Sequence, residues 1–258
     1  MIKNQNPSEL NFKSVLNFRD LGGIVADKNK KIKNGIIFRS ANLDRISKED
    51  IEKLQSLNIR TVFDLRAPGE RKKNKRPIDN IENISLPLDF QNVTMERFKP
   101  FLHKKDSECM ISDVSNALYL EIFDAIQPLF KNVLEVLLSP ERCPVLIHCH
   151  VGKDRTGIVC ALILLALRAE RQYIIEDYMK SNEALHIYFR KMLLKRKILS
   201  FGFFPSRTIL FAITLRQRNI ESVLDRVANH YGGIEAFLKD SGFDISRLGE
   251  LKRNLLVE

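Results

Sequence analysis

Apolar residues follow two different spacings along this chain, and each spacing predicts a different kind of element. Short apolar runs rich in β-branched residues are typical of buried strands, and they occur at residues 36–38, 61–65, 84–88 and 143–148. Apolar residues three and four positions apart are typical of helices, and they occur at residues 48–57, after the capping Ser47, and at 115–138. Alternating strands and helices predict an α/β fold with a central, mostly parallel sheet flanked by helices.

Two further segments complete the predicted organisation. From residue 156 to residue 258 the spacing is helical, with breaks near 200–202 and 232–233, which predicts a helical C-terminal part. Residues 91–115 have no clear period and lie between a strand and a helix, which indicates a long connection; such a connection is either functional or an ordinary surface loop. A chain of 258 residues with 44% hydrophobic composition is compatible with a single domain over residues 1–258.

Basic residues outnumber acidic ones by 42 to 32, which gives a formal charge of +10. This balance favours an anionic partner, and a phosphoprotein, an inositol lipid and a nucleic acid all qualify on charge alone. Two basic stretches stand out, at residues 66–76 and at residues 190–197, and the second interleaves cations with apolar residues. Such an amphipathic helix either docks on an anionic membrane or packs its apolar stripe into the core with its cations solvated. No nucleic-acid-binding motif is recognisable, so nucleic acid is not expected as a partner.

The four cysteines, at positions 109, 143, 149 and 160, lack the spacing of a disulfide framework, and a thiolate favours a reducing compartment. Cys143, His148, Cys149 and His150 lie close enough in sequence to suggest a metal site. Against this hypothesis, neighbouring strand residues point to opposite faces, and zinc sites use other spacings. The N-terminus lacks the apolar core of a secretory signal, and the longest apolar run, 158–167, is too short to span a bilayer. We expect a cytoplasmic location by default, with leaderless export to a host cell as the alternative.

A polar loop between a predicted strand and a predicted helix carries the candidate chemistry. Cys149 and Arg155 bracket it with five residues between them. A short loop entering a helix aims successive backbone N–H groups inward, and the helix start adds partial positive charge, so the loop suits a bound phosphate. The same field favours a nucleophilic thiolate at Cys149, and the planar guanidinium of Arg155 matches two phosphate oxygens.

The sequence His-Cys-His-Val-Gly-Lys-Asp-Arg-Thr-Gly at residues 148–157 resembles the signature loop of cysteine-dependent phosphatases. Its ending is similar to that of atypical bacterial phosphatases, which accept phosphotyrosine, phosphoserine or phosphothreonine and sometimes phosphoinositides. Further segments resemble motifs of the same group: Asn-Phe-Arg-Asp-Leu-Gly-Gly at 17–23, Phe-Arg-Ser-Ala at 38–41, Thr-Val-Phe-Asp-Leu-Arg at 61–66 and Tyr-Gly-Gly-Ile-Glu-Ala-Phe-Leu at 231–238. The resemblance spans nearly the whole chain and implies the cysteine-phosphatase fold, in which residues 91–115 would form a lid-like insertion.

By this resemblance, Cys149 attacks phosphorus in line and forms a cysteinyl phosphate, which water then hydrolyses. Arg155 and the loop amides stabilise the equatorial oxygens, and Thr156 hydrogen-bonds the Cys149 sulfur and aids breakdown of the intermediate. The cationic loop does what a metal would do, so neither a metal nor a cofactor is expected. The predicted substrate-binding positions are His150, Val151, Gly152, Lys153, Asp154 and Arg155.

The departing alkoxide or phenoxide needs a proton, and three carboxylates are candidates for the general acid. Asp154 lies where common tyrosine phosphatases carry glycine, and the matching Asp of the bacterial group is implicated in catalysis; its alternative role is a hydrogen-bonding prop for the loop. Asp89 follows a predicted strand, as the acid of dual-specificity phosphatases does, but it lies 60 positions from Cys149. Asp64 is either an acid or the partner of a nearby arginine.

Lys153 bears on substrate choice, because a second cation beside Arg155 favours highly charged phosphates and the Lys resembles that of phosphoinositide 3-phosphatases. The leading hypothesis is a metal-independent phosphatase for phosphotyrosine, with phosphoserine, phosphothreonine and phosphoinositides as further substrates. A dedicated phosphoinositide phosphatase docked on membranes through residues 190–197 is the alternative within the enzyme class. A phosphate-binding module without turnover is the non-enzymatic alternative, and it has no need of the nucleophile Cys149.

Overall fold

The computed structural model describes residues 12–71, 80–90, 96–104 and 106–258. The strands are, in chain order, β1 Arg19–Asp20, β2 Lys31–Ile32, β3 Ile37–Ser40, β4 Thr61–Arg66, β5 Glu82–Leu88, β6 Val145–His148 and β7 Leu256–Val257. Five of them form the central sheet in the order β1-β3-β6-β4-β5, and β2 pairs with β7 in a separate two-stranded sheet.

The strand β6 lies at the centre of the five-stranded sheet, with β3 and β4 as its parallel neighbours. Because β5 also runs parallel to β4, only the short β1 is antiparallel to its neighbour. The register places Ser40 of β3 and Asp64 of β4 on either side of His148, the last residue of β6. Carboxyl ends of parallel strands share one edge of a sheet. The loop that follows β6 is therefore flanked by segments from both neighbouring strands.

Helices pack against this sheet. The principal ones are α1 Lys48–Ser56, α2 Glu108–Leu137, α3 Asp154–Ala166, α4 Arg171–Leu199, α5 Ser206–Ile213, α6 Gln217–Asp225, α7 Ile234–Asp240 and α8 Leu248–Leu255. Ser47 caps α1 by accepting a hydrogen bond from the Asp50 amide at 3.1 Å, as its position in the sequence predicts. The helix α3 is buried almost throughout, which explains why its sequence is apolar on all sides.

Two hydrophobic clusters bury the two faces of the sheet. In β6, Val145 and Ile147 belong to the larger cluster, which α2 and α3 cover. Leu146, between them, belongs to a smaller cluster that includes Leu54 of α1. Successive side chains of a strand point to opposite faces, so a strand buried on both faces must be apolar at consecutive positions. This explains the uninterrupted apolar run of β6.

The predicted α/β fold with a mostly parallel central sheet is confirmed. Most element boundaries shift by one or two residues from the prediction, and three further differences concern the start of α2, the start of β6 and the end of the chain. The helix predicted at 115–138 begins at Glu108, because Ile111 of its extra turns packs against the buried Phe98. The strand predicted at 143–148 begins at Val145, since the preceding Pro144 has no amide to donate to a sheet. The part predicted as helical to the end of the chain finishes in the strand β7.

Part of the predicted lid, residues 91–95 and 105, lies outside the described residues, as do the cations at 72–76 of the first basic stretch. In the described part of the lid segment, Phe98 is buried against Ile111 and Leu118 of α2. The lid itself stays a prediction. Every helix among the described residues is too short or too polar to cross a bilayer.

Replacing Leu164 by alanine tests whether α3 is buried in the hydrophobic core. Leu164 is 0% exposed, so we expect Leu164→Ala to lower the free energy of unfolding by about 2 to 5 kcal/mol, through lost burial and the cavity left behind. Leu199 is 70% exposed, and Leu199→Ala is the matched control, with an expected change below about 0.5 kcal/mol. Urea unfolding of both variants measures the difference. Equal losses in the two variants would contradict this packing.

Candidate active site

The loop between β6 and α3 has the backbone of an anion-binding site. It begins at Cys149, which is only 2% exposed, and leads into α3 at Asp154. Gly152 has a φ of +70°, and a β-carbon at this position would lie 2.2 Å from the Ser40 carbonyl oxygen, so only glycine fits. The loop ends at the N-terminus of a 13-residue helix, where unpaired amides and the helix dipole attract negative charge.

Two side chains from the N-terminal part of the chain hold this loop by its carbonyl groups. Asn17 Nδ2 donates to the carbonyl oxygens of Val151 and Gly152, at 3.2 and 2.8 Å. Arg39 Nη2 donates to the same Gly152 oxygen at 2.8 Å. The C=O and N–H groups of a trans peptide point in opposite directions. Fixing these two carbonyls therefore turns the amides of Gly152 and Lys153 toward the opposite side, where an anion would bind.

A buried ion pair fixes the arginine of this contact. Asp177 on α4 accepts hydrogen bonds from Arg19 Nε at 2.7 Å and from Arg39 Nη1 at 2.6 Å. Burial alone would raise the pKa of Asp177, but the charges and hydrogen bonds of Arg39 and Arg19 outweigh it and lower the pKa to about 2. We call Asn17, Arg19, Arg39 and Asp177 the loop clamp. Its members explain what the motifs at 17–23 and 38–41 do in the fold.

Arg155 lies beside the loop and is held by a carboxylate that the sequence analysis did not single out. Its Nη2 donates to Glu70 Oε1 at 2.7 Å, and its Nη1 donates to the other Glu70 oxygen and, at 2.9 Å, to the Leu88 carbonyl. Burial alone would lower the pKa of Arg155, but Glu70 and the charge of a Cys149 thiolate raise it above its ordinary value. Burial alone would raise the pKa of Glu70, but Arg155 keeps it below its usual range. Two carboxylate oxygens thus occupy the guanidinium edge that fits two phosphate oxygens.

The residues around the cysteine are buried. His148 Nδ1 lies 3.2 Å from the Cys149 carbonyl oxygen, and His148 Nε2 lies 3.9 Å from a carboxylate oxygen of Asp64. This arrangement fits a residue that orients the start of the loop. Thr156 is fully buried, and its Oγ1 has no hydrogen-bond partner among the described residues. The hydrogen bond from Thr156 to the Cys149 sulfur stays a prediction.

Asp154 accepts hydrogen bonds from two side chains. Tyr119 Oη donates to Asp154 Oδ1 at 2.6 Å, and Lys153 Nζ donates to the same oxygen at 3.0 Å. Tyr178 Oη in turn donates to Tyr119 Oη at 2.6 Å. Burial and the nearby Asp154 charge raise the pKa of both tyrosines well above the ordinary value, so both remain proton donors. The chain of hydrogen bonds fixes the carboxylate, while its side chain keeps 32% of its surface exposed.

Asp64 and Asp89 occupy different positions relative to the loop. Asp64 is buried and accepts hydrogen bonds from Arg66 Nε and Nη2, each at 2.9 Å, which favours its alternative role as the partner of an arginine. Asp89 is exposed and directly follows β5. The last residue of that strand, Leu88, accepts the hydrogen bond from Arg155, so the backbone before Asp89 lies against the site.

A cavity of about 350 Å³ lies beside the loop. Five of the six predicted substrate-binding residues line it, all except Gly152, together with Glu70. The remaining walls are mainly apolar and come from α2, α4 and α5, with Tyr119 and Met192 among them. Among the described residues, no three His, Cys, Asp or Glu side chains converge as metal ligands would. Charge at one end and apolar walls elsewhere suit a phosphate attached to an apolar group.

Three contributors to this site are absent from the sequence-based set: Glu70, Tyr119 and Asp177. Glu70 follows the carboxyl end of β4, where parallel sheets place functional side chains, so its position is a usable signal. Tyr119 and Asp177 lie on long helices and act through contacts with residues 35 and 158 positions away. No local pattern marks such contacts.

Replacing Asp177 by asparagine tests the loop clamp. Because the folded pKa of Asp177 lies below its ordinary value of 3.8, its charge stabilises the fold above about pH 4, and this contribution is lost as the pH falls toward 2. We expect Asp177→Asn to lower the free energy of unfolding by about 3 to 5 kcal/mol at pH 7, since it leaves buried arginines unpaired. The difference in the free energy of unfolding between Asp177→Asn and the wild type becomes smaller as the pH falls below about 4.

Urea unfolding across this pH range measures the effect, with Asp113→Asn as the control. Asp113 forms an exposed ion pair with Arg218, so the expected change is below about 1 kcal/mol. A difference between Asp177→Asn and the wild type that does not change with pH would rule out the ionised carboxylate as the stabilising group.

Comparison with known proteins agrees with this geometry. A sequence profile described as the tyrosine phosphatase family matches residues 10–257. A Cupriavidus necator protein provisionally named as a tyrosine-protein phosphatase is 25% identical over 240 residues, which are 92% of this chain and 85% of that protein. The triple specificity protein phosphatase PtpB of Mycobacterium tuberculosis is 27% identical over 273 residues, which cover 93% of this chain and 96% of the relative.

Among solved structures, the core catalytic domain of the PP-IP phosphatase SIW14 from S. cerevisiae is similar to 66% of this chain and 78% of its own, at 17% identity and a TM-score of 0.38. The sequence profile is the broader match, because it includes the loop at 148–157 and the motifs on both sides of it. The resemblance on which the sequence analysis relied is thereby confirmed. The chain belongs to the tyrosine phosphatase family.

Proposed function

We propose that this protein is a metal-independent, cysteine-dependent phosphatase that hydrolyses phosphotyrosine, with phosphoserine, phosphothreonine and phosphoinositides as further substrates. The observation that carries the proposal is the loop after β6, where a buried Cys149 shares one anion-binding backbone with Arg155. The loop clamp fixes this backbone before any ligand binds, and such preorganisation is what stabilises charge in a transition state. A phosphate-binding module would need the backbone and the arginine but not the cysteine.

The proposed reaction proceeds in two steps. The Cys149 thiolate attacks phosphorus in line, the S–P bond forms and the O–P bond to the alcohol or phenol breaks. Arg155 exchanges the carboxylate of Glu70 for two phosphoryl oxygens, and the loop amides bind the equatorial oxygens. Water then attacks phosphorus, the S–P bond breaks and inorganic phosphate leaves. Thr156, whose buried hydroxyl is close in sequence to the cysteine, is proposed to bond the departing sulfur.

Asp154 is the carboxyl group that we propose for proton transfer to the leaving oxygen. It lies in the loop, lines the cavity and keeps part of its surface exposed, while Tyr119 and Lys153 fix its position. Asp89 is the alternative, because the backbone before it bonds Arg155. Asp64 is the least suited of the three, since Arg66 takes up its carboxylate oxygens.

The apolar lining of the cavity supports an aromatic phosphate as substrate. A phosphotyrosine ring is flat and apolar, and the walls from α2, α4 and α5 would cover it while the phosphate lies in the loop. Lys153 and Arg196 add positive charge to the lining, which suits phosphates that carry further anionic groups. The name of the M. tuberculosis relative, a triple specificity phosphatase, is consistent with this range of substrates.

A dedicated phosphoinositide phosphatase is the second candidate, and the positive charges of Lys153 and Arg196, which line the cavity together with Arg155, favour it. Comparing kcat/KM for phosphotyrosine peptides with that for short-chain phosphoinositides separates the two candidates. A preference for the lipid headgroup of about a hundredfold or more would make it the better description.

Replacing Cys149 by serine tests the nucleophile. We expect Cys149→Ser to lower the turnover of p-nitrophenyl phosphate by at least about a thousandfold, since a serine hydroxyl in the same place is not ionised. Turnover is measured with a chelator present throughout. Cys109→Ser is the matched control, because Cys109 is an exposed free cysteine outside the loop, and its activity should equal that of the wild type. Full activity of Cys149→Ser, or no activity of a folded wild type on any phosphoester, would overturn the proposal.

Replacing Asp154 by asparagine distinguishes a general acid from a residue that only stabilises the loop conformation. A general acid matters most for a leaving group that departs poorly without a proton, so we expect kcat to fall by about a hundredfold or more on phenyl phosphate and much less on p-nitrophenyl phosphate. A carboxylate that merely supports the loop would lower both rates by the same factor. Asp89→Asn is the control, and a larger leaving-group dependence in that variant would assign the acid to Asp89 instead.

A further inference from the structure

The helical hairpin next to the cavity carries most of the excess positive charge of the chain. Residues 184–216, which include the C-terminal half of α4, the connection at 200–205 and α5, contain seven Lys and Arg residues and no Asp or Glu. The whole chain has a formal charge of only +10. We call residues 184–216 the basic hairpin. Its charge is not needed for a fold, so it points to an anionic partner.

The tip of the basic hairpin exposes large apolar side chains. Phe201 is 93% exposed and Phe203 is 85% exposed, and Leu199 beside them is also exposed. On α4, Leu194 and Ile198 lie one helical turn apart and are exposed as well. Scattered apolar residues are ordinary on a surface, but five within ten residues form a patch, and patches mark interaction sites.

This patch is separate from the apolar face that the hairpin uses inside the protein. Leu185 and Leu193 of α4 are buried, and Phe189, Met192 and Ile213 line the cavity. Packing of an apolar stripe into the core, one of the two roles expected for this helix, therefore explains only one face of α4. The exposed tip is a second apolar surface, and the contacts of the fold leave it in solvent.

Cations surround the exposed patch. Lys191, Lys195 and Lys197 alternate with Leu194 and Ile198 along the last turns of α4, and they form no ion pair with any of the described residues. Lysine stems lie along apolar surface while their ammonium groups reach outward. This combination matches an anionic lipid bilayer. The apolar side chains would enter the boundary of the acyl chains, and the lysines would bind the lipid phosphates.

We infer that the tip of the basic hairpin docks this protein on an anionic membrane surface, with Phe201 and Phe203 inserted at the boundary between headgroups and acyl chains. A second copy of the chain would bring two equally basic hairpins together, so charge disfavours self-association through this surface. Because the same hairpin walls the cavity, docking holds the cavity close to the lipid headgroups. The inference concerns binding and does not depend on turnover.

A single tryptophan reports the insertion, because the chain contains no Trp. We expect the emission of Phe201→Trp, made in the Cys149→Ser background, to shift to shorter wavelength with vesicles of phosphatidylcholine and phosphatidylserine, and to be quenched by brominated acyl chains. Vesicles of phosphatidylcholine alone should leave the emission unchanged. The matched control is Val257→Trp, at an exposed position of β7, which should respond to neither vesicle.

Cosedimentation with the same vesicles measures the two contributions. We expect replacing Lys191, Lys195 and Lys197 by glutamine to weaken binding about a hundredfold, and replacing Phe201 and Phe203 by serine to weaken it at least about tenfold. Replacing Lys48, Lys131 and Lys239 by glutamine removes the same charge from α1, α2 and α7 and should change binding little. Equal binding to neutral vesicles, a response equal in Val257→Trp, or a shift of Phe201→Trp emission with protein concentration alone would overturn the inference.

Discussion

The site depends on the buried contact between Asp177 and two arginines. A loop of backbone amides binds an anion only if its carbonyls are turned away. Here Asn17 and Arg39 hold them by donating hydrogen bonds to the carbonyl oxygens of Val151 and Gly152. Two cations and one carboxylate are costly to bury, and this cost is offset because Asp177 accepts a hydrogen bond from each of the two arginines. The helix α4, which carries Asp177, therefore helps to fix the conformation of the loop although it lies outside it.

This dependence explains the order of the strands. Arg39 reaches the loop because β3 lies next to β6, and Arg19 reaches Asp177 because β1 lies outside β3. On the other side of β6, the segment after β4 supplies Glu70 to Arg155, and the end of β5 supplies the Leu88 carbonyl. Each neighbour of the central strand therefore holds one end of the loop. A change of strand order would separate the loop from its supports even if every residue of the loop were retained.

The sequence predicts the parts of this arrangement that are local. The apolar run of β6, the polar loop and the apolar helix after it lie within about twenty residues and mark the candidate nucleophile. The sheet class follows from the alternation of strands and helices along the chain. Glu70 and Tyr119 escape the pattern because their partners lie 85 and 35 positions away, and only the fold brings them together. The start of α2 also escapes it, since the first turns of this helix are held by a contact with Phe98 rather than by an apolar period of their own.

In the proposed mechanism, the pair formed by Glu70 and Arg155 turns phosphate binding into an exchange of one anion for another. The buried guanidinium is paired with Glu70 before a substrate binds. The free energy that Arg155 contributes to binding is therefore the difference between its interaction with a phosphate and its interaction with the carboxylate. This lowers the affinity for every phosphate, the inorganic product included. When the product leaves, the carboxylate returns to the arginine, and an enzyme built in this way resists inhibition by the phosphate that it releases.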